Sequence, residues 1–157
     1  MNYYDLVEDK NMAKHASLLG YDRIISINEV NAIVNPEYTE AIKNPGSLLI
    51  DPLNERKTLV DPALAKKMAE KNGVVMISLK GIASREGMKR AGWIHSIILT
   101  LRICKKYNVE VVIGSFASGP EGLKTPRMLE AVGQSLGLTK PQARWACTNA
   151  WKKVFRE

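Results

Sequence analysis

The sequence predicts an α/β fold: a mainly parallel sheet of about five to six strands with surrounding helices. Apolar runs of strand length alternate along the chain with segments of helical three-four spacing. Runs such as VVMISL and VEVVIG are nearly continuous, as parallel strands covered on both faces require. The chain has 157 residues, 45% of them hydrophobic and 25% charged, which makes residues 1–157 one globular domain able to bury a core.

The strands expected are Tyr3–Val7, Arg23–Ile27, Leu48–Asp51, Val74–Leu79 and Glu110–Ser115. Between the first two, Asp9 caps a helix that runs to Leu19 and ends at Gly20. Pro36 opens a short helix that stops before Pro45. Asp61-Pro62 is an N-cap followed by proline at the first helical position, and Leu64, Ala65, Met68 and Ala69 give that helix one apolar face. Asn72-Gly73 closes it. The longest helix spans Gly87 to Tyr107, with a stripe of Ala91, Ile94, Ile97, Ile98, Leu101 and Cys104. Thr125-Pro126 starts another, which stops before Gly137. Thr139 with Gln142 forms a capping box for a last helix reaching toward Phe155. A closed eight-unit barrel takes roughly 200 residues or more. The order βαβαβαβαβα with an added terminal helix therefore predicts an abbreviated barrel, open or with a partner over its edge.

Charge is unevenly spread. Residues 1–60 hold 6 Lys and Arg against 9 Asp and Glu, a net −3, whereas residues 61–157 hold 17 against 7, a net +10. The basic second part suits a polyanion, although a solvated soluble surface would also explain it. Apolar runs are too short to cross a membrane, and residues 1–20 are too acidic and polar for a secretory signal. Cys104 and Cys147 have no CxxC spacing, which points to a reducing, cytoplasmic setting.

Ligands of strand-then-helix proteins bind just past the carboxyl ends of the strands. After Glu110–Ser115 that position holds SFASGPEGLKTPR, with a serine, backbone-exposing glycines and the cations Lys124 and Arg127. The segment resembles a P-loop, but Leu123 separates Gly122 from Lys124 where the motif GxxxxGK[ST] needs them adjacent. Nucleotide hydrolysis is excluded on that spacing. His15 and His95 lie far apart with no HxH or HExxH, so no metal site is expected. No GxSxG or comparable activated nucleophile is present. Asp22, Asp51 and Asp61 read as turn or cap residues, His95 as a packed or rim residue and Cys104 as core; Trp145 and Trp151 read as residues in or near a core, with a protein-interface anchor as the alternative for one of them.

The remaining candidates are cations. Arg56 and Lys57 follow the strand ending at Asp51, Lys80 and Arg85 follow Val74–Leu79, and Lys124 and Arg127 follow Glu110–Ser115. In a parallel fold these loops share one end of the sheet, where arginine forks match phosphate oxygens. Aromatic content is only 6%, without an RNP-type motif, which argues against base-specific reading of single strands. Lys105-Lys106 and Lys152-Lys153 are explained by the dipoles of the helix ends they occupy.

Residues 48–155 resemble ribonuclease P protein component 3, the archaeal and eukaryotic subunit with a PHP-like TIM-barrel fold. The resemblance runs through DPLNERKTLVDPALAKKMAEKNGVVMISL, RICKKYNVEVVIGS, SFASGPEGLKTPRMLEAVGQSLGL and the alanine-rich tail from Pro141. It places a family arginine at Arg56, an aspartate near Asp61, an arginine at Arg90 and a serine at Ser115. Lys124 stands where the family usually has arginine, which keeps the charge and loses the fork. Asn31–Ser47 replaces more than one βα unit of the longer family members.

The resemblance implies an abbreviated PHP-like TIM-barrel fold and a non-catalytic protein subunit of ribonuclease P. In that enzyme the RNA subunit, using Mg2+, removes the 5′ leader of precursor tRNA. The protein has no cofactor of its own. The basic loops and the resemblance together give the expected RNA-binding residues: Arg56, Lys57, Lys80, Arg85 and Arg127 stand in or beside those loops, and Arg56, Arg90, Ser115, Lys124 and Arg127 fall on positions of the family's pattern. Implied partners are ribonuclease P RNA, ribonuclease P protein component 2 in a heterotetramer with two copies of each, and other ribonuclease P protein subunits. Two rival readings use the same loops: a phosphate-binding barrel-type hydrolase, and a protein-only assembly module.

Overall fold

The computed structural model describes residues 1–156. It is α/β, with six strands in two sheets and helices around them. Strands β1 (Tyr4–Val7) and β2 (Arg23–Ser26) pair in parallel, with Tyr4 opposite Arg23 and Val7 opposite Ser26. The second sheet has the order β3-β4-β5-β6, from β3 (Ala32–Val34), β4 (Leu48–Ile50), β5 (Val74–Ser78) and β6 (Glu110–Gly114). The β3–β4 and β4–β5 pairs are parallel. The chain forms two compact units. The first holds Met1–Asn31, Ser78–Lys80 and the residues from Val112 on; the second holds Ala32–Ile77 and Gly81–Val111.

Local chemistry sets most element ends where the sequence places them. The Asp9 carboxylate accepts from Asn11 N at the start of the first helical segment, and Gly20, at φ 89°, ends it. That segment is two pieces rather than one helix: a 3-10 stretch over Lys10–His15, then α1 (Ala16–Leu19). Asp61 caps α3 (Pro62–Glu70) by accepting from Leu64 N at 2.8 Å, and it also accepts from the Tyr38 hydroxyl of α2 (Tyr38–Lys43). The capping box of Thr139 and Gln142 forms at α7 (Lys140–Cys147).

Other elements depart from expectation. β3 lies inside the stretch expected to hold only one short helix. β5 stops at Ser78, and Leu79 begins a helical turn, α4 (Leu79–Ala83), although the apolar run continues through it. The long helix α5 (Gly87–Tyr107) has its expected ends but a different inner face: Trp93, Ser96, Ile97, Thr100, Leu101 and Cys104 are buried, while Ala91 is exposed. The last helix is broken over Thr148–Ala150 into α7 and α8 (Trp151–Phe155). Trp145, within α7, is half exposed at 49%, whereas Trp151, at the start of α8, is completely buried, so of the two only Trp151 is a core tryptophan.

The core of the first unit gathers Val7, Ile24, Ile113, Leu129 and Cys147, under α6 (Pro126–Ser135) and α7. In the second unit α3 packs on α5 and buries Leu64, Ala65 and Met68. Two close approaches require glycine. A Cβ on Gly73 would lie 2.0 Å from the Pro45 carbonyl oxygen, and one on Gly92 would lie 2.4 Å from that of Glu55. The second contact seats the loop after β4 directly on the opening turns of α5. Among the described residues no helix is long and apolar enough to cross a membrane.

Candidate nucleic-acid interface

The loop that follows β6 hangs from a buried carboxylate. Asp5, in the middle of β1, is wholly buried, and its Oδ1 accepts from Leu6 N at 2.9 Å and from Ser115 N at 2.6 Å. Its Oδ2 accepts from the Ser115 hydroxyl at 2.5 Å. The chain on either side is tied to β1 as well: Phe116 N donates to the Leu6 carbonyl and Glu8 N to that of Ala117. Phe116 takes a left-handed conformation, φ 51°, to make this turn. Burial pushes the Asp5 carboxyl up to about 7, and the hydrogen bonds from Ser115 and Leu6 N pull against that rise.

Ser115 is therefore buried under the loop, with its hydroxyl turned to Asp5 rather than to solvent. Lys80 lies beside it, its N–H donating to the Ser115 carbonyl, while its ammonium pairs with Glu8 at 2.8 Å and sits over the Phe116 ring. Lys124 is fixed at both ends. Its carbonyl accepts from the Tyr21 hydroxyl at 2.6 Å, and its ammonium donates to the Glu121 carbonyl at 2.9 Å. Arg127, in the first turn of α6, is exposed and its guanidinium has no ion-pair or hydrogen-bond partner among the described residues.

The second unit holds the other four predicted residues. Arg56 and Lys57 sit in a tight turn after β4 that a single side chain organises. Asn54 Oδ1 accepts from Arg56 N at 2.8 Å and Lys57 N at 3.0 Å, and Asn54 N donates to the Lys57 carbonyl at 2.9 Å. An antiparallel bridge between Leu53 and Thr58 closes the turn. Both cationic side chains are exposed and unpaired among the described residues. Such an Asx turn fixes the backbone locally and leaves the side chains free to point outward.

Arg85 and Arg90 are occupied internally. The Arg85 guanidinium stacks on Trp93, 3.4 Å from the ring centroid, and donates to Glu55 at 3.0 Å and to the Gly81 carbonyl at 2.7 Å. Backbone hydrogen bonding first, then Arg85, holds the Glu55 carboxyl below its usual range. Arg90 Nε donates to the Arg85 carbonyl at 2.6 Å, bracing the start of α5. The structure thus brings the predicted residues together in two groups: Lys80, Ser115, Lys124 and Arg127 in one unit, and Arg56, Lys57, Arg85 and Arg90 in the other.

Sequence reasoning missed Asp5, Asn54 and Glu55, which position the loops rather than meet a ligand. The available signal for Asp5 is one carboxylate inside the apolar run YYDLV, since a charge in a buried strand needs partners. His15 and His95 join no ligand cluster, and no group of three metal-binding side chains occurs among the described residues. Asp61 serves as a helix cap, as expected, whereas the Asp22 carboxylate accepts from Tyr3 N at 2.7 Å, nineteen residues before it, and so ties the start of β1 to the approach to β2.

Two outcomes follow for stability. Arg85→Ala removes a charged hydrogen-bond hub and a cation–π stack, so it should cost about 2–3 kcal/mol. Arg56→Ala and Arg127→Ala should stay within about 0.5 kcal/mol of the native protein. Denaturant melts separate these, and equal losses for all three would remove the distinction. Asp5 gives a pH signature. Its folded pKa of about 7 lies above the ordinary 3.8, so its contribution is fully present below pH 4 and lost as pH rises through 7. Asp5→Asn, which resembles the protonated acid, should therefore gain in melting temperature relative to the native chain between pH 5 and pH 8. A constant difference over that range would contradict this assignment.

No established family model matches the chain. Curated relatives do match. The protein named ribonuclease P protein component 3 of Methanosarcina acetivorans is 26% identical over 156 residues, covering 96% of this chain and 64% of the relative. Its namesake in Methanosarcina mazei is 25% identical over 158 residues, covering 98% of this chain and 64% of the relative. The chain thus spans just under two-thirds of the length of these relatives. Among solved structures, a chain of a cryo-EM structure of archaeal ribonuclease P with mature tRNA matches with a TM-score of 0.72 at 16% identity. That match covers 99% of this chain and 82% of the other, and it shows a shared fold. The chain is therefore similar, over nearly its whole length, to ribonuclease P protein component 3.

Proposed function

We propose that this chain is a non-catalytic protein subunit of ribonuclease P that binds and braces the catalytic RNA for removal of the 5′ leader from precursor tRNA. The observation that carries the reading is sequence similarity across 96% of the chain to curated proteins named ribonuclease P protein component 3. The relatives are longer, so the role is assigned to the segment of them that this chain spans.

The geometry supports an RNA-facing role of a particular kind. Arg56, Lys57 and Arg127 are exposed, unpaired among the described residues, and mounted on turns that other residues hold fixed. Neutralising backbone phosphates asks for little more than such fixed positive charge, and it reads no base. Lys80 and Lys124 are second-rank candidates because their ammonium groups already have acceptors. Arg85, Arg90 and Ser115 support the loops from beneath. In this reading the chain carries no cofactor, Mg2+ serves the RNA subunit, and cleavage belongs to the RNA. Its protein partners are component 2, two copies of each, and the other subunits, and it works in the cytoplasm.

Binding to ribonuclease P RNA should fall steeply with salt, with a log-log slope of about −0.7 to −0.9 per phosphate neutralised. Arg56→Ala, Lys57→Ala and Arg127→Ala should each flatten that slope by a little under one. A slope near zero for the native chain would remove RNA as the ligand. RNA-free purified protein should leave precursor tRNA uncut in Mg2+; cleavage under those conditions would make the chain an enzyme in its own right.

A further inference from the structure

A second basic cluster lies at the other end of the second unit. Lys66, on α3, and Lys106, on α5, both lie near the face of Tyr107, with their ammonium groups 5.9 Å and 5.5 Å from the ring centroid. Lys67 and Lys105 are exposed beside them. None of the four lysines has a carboxylate partner among the described residues. α5 contains no acidic residue, and α3 contains only Glu70.

The helix dipole explains lysines in the last turn of α5. It does not explain why Lys66, in the middle of α3, converges with Lys106 on one aromatic ring. Gathering like charges there is unfavourable in the free protein and becomes favourable against a polyanion.

The position is fixed by the topology. Arg56 and Lys57 follow the carboxyl end of β4, and their turn rests on α5 at Gly92. Tyr107 ends α5, just before β6 begins. Gly92 and Tyr107 are fifteen residues apart on one helix, roughly 22 Å at 1.5 Å per residue. That exceeds the screening length of about 8 Å at physiological salt, so the two clusters act on separate stretches of a ligand.

We infer that the Lys66–Lys106–Tyr107 end of the second unit is a distinct RNA-backbone contact, so that this unit holds two RNA segments at once. The inference rests on the ribonuclease P reading and extends it from one loop surface to a bridge. A backbone ligand suits it because lysines on flexible stems meet phosphates as point charges without reading bases.

The test uses the full chain, ribonuclease P RNA, salt titration and hydroxyl-radical footprinting. Lys66→Gln with Lys106→Gln should weaken binding several-fold and flatten the log-log slope by roughly 1.4–1.8. It should also expose one RNA segment, while Arg56→Gln with Lys57→Gln exposes a different one. Lys66→Arg with Lys106→Arg should restore slope and footprint, which separates lost charge from lost folding. An unchanged slope and footprint in the double glutamine variant would overturn the bridge while leaving the ribonuclease P reading in place, as would loss of the same segment in both variant pairs. No RNA binding by the native chain would overturn both.

Discussion

A carboxylate removed from water needs its oxygens filled, and that requirement organises the first unit. Asp5 draws Leu6 N, Ser115 N and the Ser115 hydroxyl onto itself. Because Ser115 is 110 residues away, the hydrogen bonds of one buried carboxyl group fasten the end of β6 to β1. The turn at Phe116, the seat of Lys80 and the path to Leu123 follow from that attachment. A buried carboxyl group without hydrogen-bond partners would carry a large penalty, so the pairing with Ser115 holds the loop at that position.

The second unit reaches a similar end by different means. There a missing side chain at Gly92 lets the Glu55 backbone touch α5, and the Arg85–Glu55 pair closes over Trp93. Asn54 then shapes the short turn that displays Arg56 and Lys57. In both units the fixed residues are internal and the free cations are external. Fixed support under exposed, unpaired charge suits a backbone whose phosphates must be matched in position but not read in sequence.

Much of the fold was legible because it depends on local chemistry. Asp61-Pro62, Thr139 with Gln142, and Gly20 each mark a helix end through a backbone requirement that no tertiary contact overrides. The remainder depends on contacts distant in sequence. β3 has only three residues, AIV, which carry no periodicity, and it is a strand because β4 pairs with it. The run through Leu79 reads as strand, but the chain turns into α4 there, and a Cβ on Gly81, just beyond, would lie 2.8 Å from the Asp51 carboxylate and 3.1 Å from Trp93. Nothing in WACTNAWKKVF announces the break between α7 and α8.

The candidate site divides along the same line. Cations after strand ends could be found from sequence, and Arg56, Lys57 and Arg127 are indeed exposed and free of partners among the described residues. Sequence could not tell these from Arg85 and Arg90, which have the same chemistry and nearly the same loop placement but are consumed by Trp93, Glu55 and backbone carbonyls. The claim that this chain serves ribonuclease P is tested most directly by isolating the tagged protein from its own cells and sequencing the RNA that accompanies it. Strong enrichment of ribonuclease P RNA, lost when Arg56, Lys57 and Arg127 are neutralised together, is the predicted result. Its absence from the native complex would contradict the account.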